Sequence, residues 1–234
     1  MSKVDLTGKS FHFIGIGGIG MSALAHIVAK RQLPVSGSDV KASHITSRLE
    51  SLGTKIFYQQ QASNLNCYRV KVSPENSPIA PLITANVELQ TTPVTTQITP
   101  ELSPLLPQVV CSTAISDSNP EYKAAKELEC PIFHRSDLLA ALIAEYDSIA
   151  VSGTHGKTTT SSAIAYMLLE AGLDPTIIVG GEVDAWSGNA RAGEGKYLVA
   201  EADESDGSLI KHSPSIGIIT NIELDHPDRY GDIT

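Results

Sequence analysis

The stretch FHFIGIGGIG, residues 11–20, decides the fold, because a short apolar, β-prone run breaks there into a cluster of glycines. A helical stretch of small residues follows over 21–30. A strand, a G-x-G-x-x-G turn and a helix are typical of a unit whose backbone approaches a pyrophosphate at the helix N-terminus. A tight turn that binds nothing is the alternative for so short a motif. The glycines concerned are Gly15, Gly17, Gly18 and Gly20.

A second predicted strand, residues 34–39, ends in Asp39. An acid about 20 residues beyond the glycines can accept a hydrogen bond from a ribose hydroxyl, and NAD is the default ligand of such a pair. UDP-sugars present the same pyrophosphate and ribose, so the motif indicates a nucleotide diphosphate more firmly than a nicotinamide. A nicotinamide-dependent oxidoreductase remains a second hypothesis that rests on this motif alone.

Strand and helix signals alternate on both sides of a proline-rich interruption, which predicts a Rossmann-like parallel-sheet domain over 1–134. Seven of the 13 prolines fall within 68–110. Proline forbids a long helix and removes ladder donors from a central strand, so we expect a surface insertion there. Asn119 and Ser136 are the predicted N-caps of two helices. The further predicted strands cover 54–58, 108–113 and 131–133, and the further helices cover 43–52, 120–129 and 136–146.

A second motif, AVSGTHGKTTT over 150–160, follows an apolar strand and opens a predicted helix over 158–171. The physics is that of a P-loop: backbone N–H groups wrap phosphates, Lys157 neutralises β- and γ-oxygens, and the Thr158 hydroxyl reaches Mg²⁺. Val151 stands where the general pattern G-x-x-x-x-G-K-[ST] begins with glycine, so the loop is a G-T-H-G-K-T variant. The predicted phosphate-binding residues are Gly153, Thr154, His155, Gly156, Lys157, Thr158 and Thr159.

Two later apolar runs end in polar residues. The first leads into EADESD, residues 201–206, where Glu201 is the best-placed metal ligand because it follows the strand directly. We expect some of the remaining acids to be solvated. The second, over 216–220, is predicted to be a buried strand and leads to His226. This histidine could ligate a metal or contact phosphate, although a lone histidine is more often structural.

Composition excludes several classes of protein. The formal net charge of −9 argues against non-specific binding to nucleic acid or to an anionic membrane. Cys67, Cys111 and Cys130 lack motif spacing, which argues against a disulfide framework or a zinc ribbon and favours a reducing compartment. The chain has no apolar run of ~18 residues and no secretory core at its N-terminus, so we expect a cytoplasmic enzyme. The sequence carries no signal of oligomeric state.

The series GIGGIGMSALA, SGSD, GTHGKTTT, EADESD and TNIELDH closely resembles the motifs of the Mur ligases of bacterial peptidoglycan synthesis. The resemblance covers nearly the whole chain outside 68–110. Within the family, Ser205 favours the alanine-adding members, because the muropeptide-recycling members typically have tyrosine there. One departure is Gln59-Gln60, where similar enzymes usually have Gly-His and from which substrate contacts are expected.

The resemblance implies an ATP-dependent acid–amino-acid ligase acting on UDP-N-acetylmuramate and L-alanine through an acyl phosphate. The four glycines and Asp39 would hold the UDP part, and residues 153–159 would cradle ATP. Thr158 and Glu201 would bind Mg²⁺, and His226 would hold a second Mg²⁺, with Lys157, Glu201 and His226 as catalytic residues. The family also carries a third, C-terminal domain. Residues 135–234 are therefore expected to be a partial central P-loop α/β ATP-binding domain, in a chain that is inactive alone.

Overall fold

The computed structural model describes residues 3–68, 106–203 and 207–223. The first sheet holds five parallel strands in the order β3-β2-β1-β4-β5. These strands are β1 (Phe11–Ile14), β2 (Val35–Ser38), β3 (Lys55–Phe57), β4 (Gln108–Cys111) and β5 (Ile132–His134). The helices that accompany them are α1 (Ile19–Lys30), α2 (His44–Ser51), α3 (Pro120–Glu127) and α4 (Arg135–Ile143).

The second sheet follows, accompanied in the described part of the chain by the helix α5 (Lys157–Glu170). Its strands are β6 (Asp147–Ser152), β7 (Thr176–Val183), β8 (Gly188–Arg191), β9 (Tyr197–Glu201) and β10 (Ile216–Ile219). The strand order is β10-β6-β9-β7-β8, and only β8 runs antiparallel to its neighbour among the described strands. The predicted α/β class, with a parallel N-terminal sheet, is confirmed.

The strand orders decide where polar loops can meet. In the first sheet β1 lies between β2 and β4, so the chain changes direction across the sheet at the carboxyl end of β1. Ligands of open α/β sheets bind in the crevice at such a switch point. In the second sheet β6 pairs with β9, and Val151 is the partner of Glu201. The loop that follows β6 therefore lies beside the end of β9.

The two sheets share one hydrophobic core. Phe13 of β1, Leu24 of α1 and Leu142 of α4 belong to the same buried cluster as Ile178 of β7 and Leu198 of β9. Helices α1 and α4 thus contribute to a core that includes residues of both sheets, and α1 contacts β7 and β8 directly. This packing fixes the glycine loop before α1 relative to the second sheet.

The structure confirms one of the two predicted helix N-caps and corrects the other. Asn119 caps α3 as predicted, accepting from the Glu121 and Tyr122 N–H groups. The N-cap of α4 is His134, not Ser136, because the Asp137 carboxylate accepts from the His134 N–H and closes a capping box two residues earlier in the chain.

Strand β10 is largely exposed, not buried as predicted. Ile216 is 54% exposed and Ile219 is 63% exposed. The physical reason is the position of β10 at the edge of the second sheet, where it pairs with β6 alone among the described strands. The β7–β8 pair was not predicted at all.

Part of the predicted insertion 68–110 belongs to regular structure. Tyr68 ends a 3₁₀ helix, Ala62–Tyr68, and the segment re-enters the sheet at Gln108. The rest of the predicted insertion, residues 69–105, lies outside the described residues. No helix in the described part of the chain has the length and apolar character needed to cross a membrane.

Candidate functional site

The P-loop follows β6 and turns on two glycines with positive φ. Gly153 has φ +130° and Gly156 has φ +80°, conformations that favour glycine. A Cβ at Gly153 would also come within 2.8 Å of the Asn221 carbonyl oxygen. The Lys157 ammonium group donates to the Gly153 carbonyl at 2.6 Å and to the Thr154 carbonyl at 3.3 Å. The Lys157 side chain therefore folds back onto the P-loop, where the phosphates that it is predicted to neutralise would bind.

Residues that follow β10 brace this loop. The His155 N–H donates to Asn221 Oδ1 at 2.9 Å, and the Thr154 N–H donates to the Asn221 carbonyl at 3.2 Å. The Thr220 hydroxyl donates to the His155 carbonyl at 2.6 Å, and the Glu223 N–H donates to Thr154 Oγ1 at 3.0 Å. Residues 220–223, the TNIE part of the TNIELDH motif, thus hold the P-loop in shape. His226 lies outside the described residues.

Glu201 lies against the first turn of α5. The Thr158 hydroxyl donates to Glu201 Oε2 at 2.8 Å, and the Gly180 N–H donates to the same oxygen at 2.7 Å. Gly180 leaves the space for that carboxylate, because a Cβ there would lie 2.5 Å from Glu201 Oε1. A hydroxyl and a carboxylate side by side match the oxygen ligands that Mg²⁺ prefers. Within the described ranges, no three His, Cys, Asp or Glu side chains form a metal-binding group.

The glycine loop after β1 is held by the end of β2. The Gly15 and Ile16 N–H groups donate to the Ser38 carbonyl at 2.8 and 2.9 Å. The Gly17 N–H donates to Asp39 Oδ2 at 2.8 Å. Asp39 directly follows β2 and holds the glycine loop by this hydrogen bond, and its contact with a ribose hydroxyl stays a prediction.

A buried polar network under this loop escaped the sequence reasoning. Glu121 and His12 have fully buried side chains and meet at 2.8 Å. Glu121 Oε1 also accepts from Asn64 Nδ2 at 2.9 Å, and Glu121 Oε2 accepts from the Ser38 hydroxyl. The second nitrogen of His12 contacts the Ser36 hydroxyl at 2.8 Å. One carboxylate thus joins β1, β2, α3 and the 3₁₀ helix Ala62–Tyr68.

The turn between β3 and this 3₁₀ helix contains Gln59-Gln60, the departure from the motifs that the sequence resembles. Asn64 Nδ2 donates to the Gln59 carbonyl at 2.7 Å, and Asn119 Nδ2 donates to Gln60 Oε1 at 2.7 Å. The Gln60 side chain therefore docks on the N-cap of α3. Gln59 is exposed.

A cavity of about 450 Å³ connects the two loops. Gly18 and Gly20 lie on one side of it, and Lys157 and Glu201 lie on the other. Arg135, the first residue of α4, also lines it, and its Nη2 donates to Asp203 Oδ2 at 2.7 Å. The sequence could have indicated Arg135, because residues that directly follow a parallel strand lie at the ligand-binding edge of the sheet and Arg135 directly follows β5.

Polar contacts fix the relative position of the two sides. Asn189 Nδ2 donates to the Ile19 carbonyl at 2.5 Å, which ties β8 to the first turn of α1. Glu182 accepts from Arg48 at 3.1 Å and contacts His44 at 2.7 Å. The hydrogen bond with His44 lowers the pKa of Glu182, as does the positive charge of Arg48. These contacts place the glycine loop opposite the P-loop.

Known proteins resemble the chain along its whole length. The family model described as "Mur ligase family, catalytic domain" matches residues 10–147, and the one described as "Mur ligase middle domain" matches 151–234. UDP-N-acetylmuramate–L-alanine ligase of Nostoc sp. is 66% identical over 98% of this chain and 44% of its own length. The ligase of the same name from Gloeothece citriformis is 66% identical over 98% of this chain and 46% of its own length. The chain therefore spans less than half the length of these relatives.

Solved structures of ligases share the fold of this chain. UDP-N-acetylmuramate-alanine ligase from Thermotoga maritima has a TM-score of 0.73 and 30% identity, over 95% of this chain and 44% of its own. UDP-N-acetylmuramate:L-alanyl-gamma-D-glutamyl-meso-diaminopimelate ligase from Neisseria meningitides shares the fold, with a TM-score of 0.74 at 24% identity, over 97% of this chain and 64% of its own. The oxidoreductase hypothesis has no support from these relatives. The chain belongs to the Mur ligase family.

Proposed function

We propose that the chain is the part of an ATP-dependent ligase that brings UDP-N-acetylmuramate to ATP, for ligation of L-alanine. The observation that carries the proposal is the cavity that joins the glycine loop to Lys157 and Glu201. A substrate held by its diphosphate at the glycine loop can extend its other end through this cavity toward the P-loop. The names of the relatives support the choice of substrates.

The chemistry requires a carboxylate to become an acyl donor. The muramate carboxylate attacks the γ-phosphorus of ATP, the bond to the bridging oxygen of ADP breaks, and an acyl phosphate forms. The L-alanine amine then attacks the acyl carbon and loses a proton, and inorganic phosphate leaves as the amide forms. The first step brings two anions together. Lys157 reduces that repulsion, because it lies at the loop that would hold the β- and γ-phosphates.

The proposed site residues keep the roles that the sequence suggests. Residues 153–159 would hold ATP, and the glycines with Asp39 would hold the UDP part. Thr158 and Glu201 would hold Mg²⁺, which supplies charge neutralisation during phosphoryl transfer when bound. His226 would join this site as the ligand of a second ion.

The wider assignments also stay proposals. We divide the chain into a UDP-sugar-binding domain, 1–134, and a partial ATP-binding domain, 135–234. The two family models match 10–147 and 151–234, so the first of them extends beyond residue 134 and includes α4. We infer a cytoplasmic enzyme of cell wall synthesis, supported by the acidic charge and the unpatterned cysteines.

Lys157→Ala tests the proposal. Phosphate release is measured with ATP, UDP-N-acetylmuramate and L-alanine, both for this chain and for a version extended at its C-terminus. We expect alanine-dependent release from the extended version, and its loss in Lys157→Ala. Lys196→Ala is the matched control, because Lys196 forms an exposed ion pair with Asp147 at the opposite end of the β6–β9 ladder. Near-normal turnover of Lys157→Ala would overturn the assignment.

The same assay separates the proposal from the muropeptide-recycling alternative. L-alanine is replaced by the tripeptide named for the Neisseria ligase. Release with alanine and not with the tripeptide supports the alanine-adding assignment, and the reverse result transfers the chain to the recycling group. Saturable NAD binding would revive the oxidoreductase hypothesis.

A further inference from the structure

The last part of β7, residues 180–182, contacts the proposed metal ligand but lies outside regular strand pairing. The Gly180 N–H donates to Glu201 Oε2 at 2.7 Å. Among the described strands, the pairing of β7 with β9 ends at Ile178, and its pairing with β8 is irregular between Ile178 and Val183. Ladder hydrogen bonds between these strands therefore do not fix the segment, and its position depends on side chains that contact it from outside the sheet.

Glu182 anchors this segment on α2. Glu182 Oε1 accepts from Arg48 Nη2 at 3.1 Å, and Glu182 Oε2 contacts His44 Nε2 at 2.7 Å. Arg48 Nη1 also donates to the carbonyl of Ser187, which directly precedes β8. Arg48 Nη2 donates to Asn189 Oδ1 at 3.4 Å. One guanidinium thus contacts both strands of the β7–β8 pair, a use that the planar fork of arginine allows.

The packing around the Arg48 guanidinium is close. A Cβ built on Gly188 would lie 2.6 Å from Arg48 Cζ, so glycine at this position leaves the space that the guanidinium occupies. The Arg48 side chain is 29% exposed and that of Glu182 is 39% exposed. A single exposed ion pair contributes little, but several acceptors around one guanidinium form a network that holds it in one geometry.

Helix α2 is itself packed against the glycine loop. Thr46 of α2 is fully buried, and a Cβ built on Gly17 would lie 3.2 Å from Thr46 Cγ2. Arg48 follows Thr46 by two residues on the same short helix. A continuous set of contacts therefore runs from the glycine loop through α2 to the part of β7 that holds Glu201.

We propose that Arg48 is a positioning residue for the proposed ligase reaction: it holds residues 180–182 so that the Gly180 N–H orients the Glu201 carboxylate for Mg²⁺. The inference rests on the proposed function, because it takes Thr158 and Glu201 as ligands of the Mg²⁺ that accompanies ATP. It places the side chain that controls this ligand in the half of the chain proposed to bind the UDP-sugar.

Calorimetric titration of ATP into the 234-residue chain, with and without Mg²⁺, tests the inference. The ratio of the two affinities, the magnesium gain, reports on the position of Glu201 independently of turnover. Arg48→Ala should reduce the magnesium gain by about fivefold to tenfold, which lies within the range of coupling between side chains in contact. The affinities for UDP and for ATP without Mg²⁺ should stay within about twofold of the wild type. Arg48→Lys should recover part of the gain, because it keeps the charge that faces Glu182 without the fork.

A double-mutant cycle tests the route through Glu182. Glu182→Ala should lower the same magnesium gain, because it removes the carboxylate through which Arg48 holds β7. The double variant Arg48→Ala, Glu182→Ala should lose no more than the larger of the two single losses. Additive losses would contradict a positioning role that acts through Glu182.

Arg31→Ala is the matched control. Arg31 is the C-cap residue of α1 and pairs with Glu145 at 2.6 Å, and its side chain is 23% exposed, against 29% for Arg48. Arg31 Nη2 also donates to the Tyr146 hydroxyl at 2.8 Å. These contacts involve neither residues 180–182 nor Glu201, so the magnesium gain should not change. Unfolding midpoints of all variants report any loss of folding.

The outcomes separate the inference from the proposed function. An undiminished magnesium gain in Arg48→Ala overturns the role of Arg48 and leaves the proposed function intact. Equal weakening of ATP with and without Mg²⁺, or a loss of UDP affinity alone, assigns Arg48 to a different task and also overturns it. An equal loss of the gain in Arg31→Ala shows an effect of net charge, which contradicts a specific contact. A wild-type chain that binds no ATP, or whose ATP affinity does not respond to Mg²⁺, overturns both.

Discussion

Replacement of Glu121 by alanine should destabilise the N-terminal half more than any surface change on α3. The Glu121 carboxylate accepts from His12 Nε2, from Asn64 Nδ2 and from the Ser38 hydroxyl, and its side chain is fully buried. Alanine removes every one of these acceptors at once. Asn64 keeps its bond to the Gln59 carbonyl, but His12 and Ser38 lose the contact with Glu121 in a dry environment.

The structure sets the size of the effect. A buried polar group left without its partner costs about 1–3 kcal/mol, so two such groups give roughly 2–6 kcal/mol. Removal of a buried carboxylate also removes its own desolvation cost, which offsets part of that loss. We therefore expect Glu121→Ala to lower the free energy of unfolding by about 2–4 kcal/mol, a large share of the ~5–15 kcal/mol of an ordinary domain. Glu121→Gln should cost about 1 kcal/mol, because its amide can donate to a rotated Ser38 hydroxyl.

Urea unfolding followed by circular dichroism measures these differences, with Glu127→Ala as the control. Glu127 lies on the same helix and is exposed, so its loss should change stability by less than about 0.5 kcal/mol. Because the Ser38 carbonyl binds the Gly15 and Ile16 N–H groups, Glu121→Ala should also weaken UDP binding before it affects ATP binding. A Glu121→Ala protein as stable as Glu127→Ala would refute the reasoning.

Two further changes test other parts of the structure. Gly180→Ala should displace the Glu201 carboxylate and weaken Mg²⁺-dependent ATP binding by about tenfold or more, if a charged contact worth about 1.5–3 kcal/mol is lost. Gly217→Ala, with no atom within 4 Å of its added Cβ, should leave calorimetric ATP titrations unchanged, and equal effects in both would contradict the argument. Burial, then the charges of Lys30 and Arg48, lowers the pKa of His26 from 6.5 to about 4. The stability that neutral His26 contributes is present above pH 6.5 and is lost as the pH falls toward 4. The thermal unfolding midpoint of His26→Gln should therefore change less with pH between 6.5 and 4 than that of the wild type. If the unfolding midpoints of the wild type and of His26→Gln change with pH by the same amount, this assignment is contradicted.

Local sequence signals predicted the strands, glycine turns and helix starts at which the candidate site residues lie. The run 11–20 gives a strand, a turn and a helix because its apolar residues and its glycines act on neighbouring backbone. Gly153, Gly156 and Lys157 are equally local, since the turn and the helix start lie within a few residues. Glu201 was predicted because carboxyl ends of parallel strands share one edge.

The sequence could not predict features set by distant partners. The Glu121 network joins residues from β1 to α3 that are far apart in the chain, and nothing near Glu121 distinguishes it from a solvated helix acid. The β7–β8 pair was missed, although the apolar run 176–179 is a strand signal. The exposure of β10 follows from strand order, which hydrophobicity along the chain does not encode.

The shared core explains how the two loops of the proposed ligase site are held in a fixed relative position. In the proposed reaction a carboxylate and a γ-phosphate meet in a defined geometry, and a misplacement of about 1 Å can cost on the order of 100-fold in rate. Helix α1 begins at the glycine loop, and its buried face belongs to the core that contains Ile178 and Leu198 of the second sheet. The Asn189 amide adds a direct bond to its first turn. The distance between the loops is therefore set by side-chain packing, so core substitutions under α1 should affect coupling between the two nucleotides before they affect either one alone.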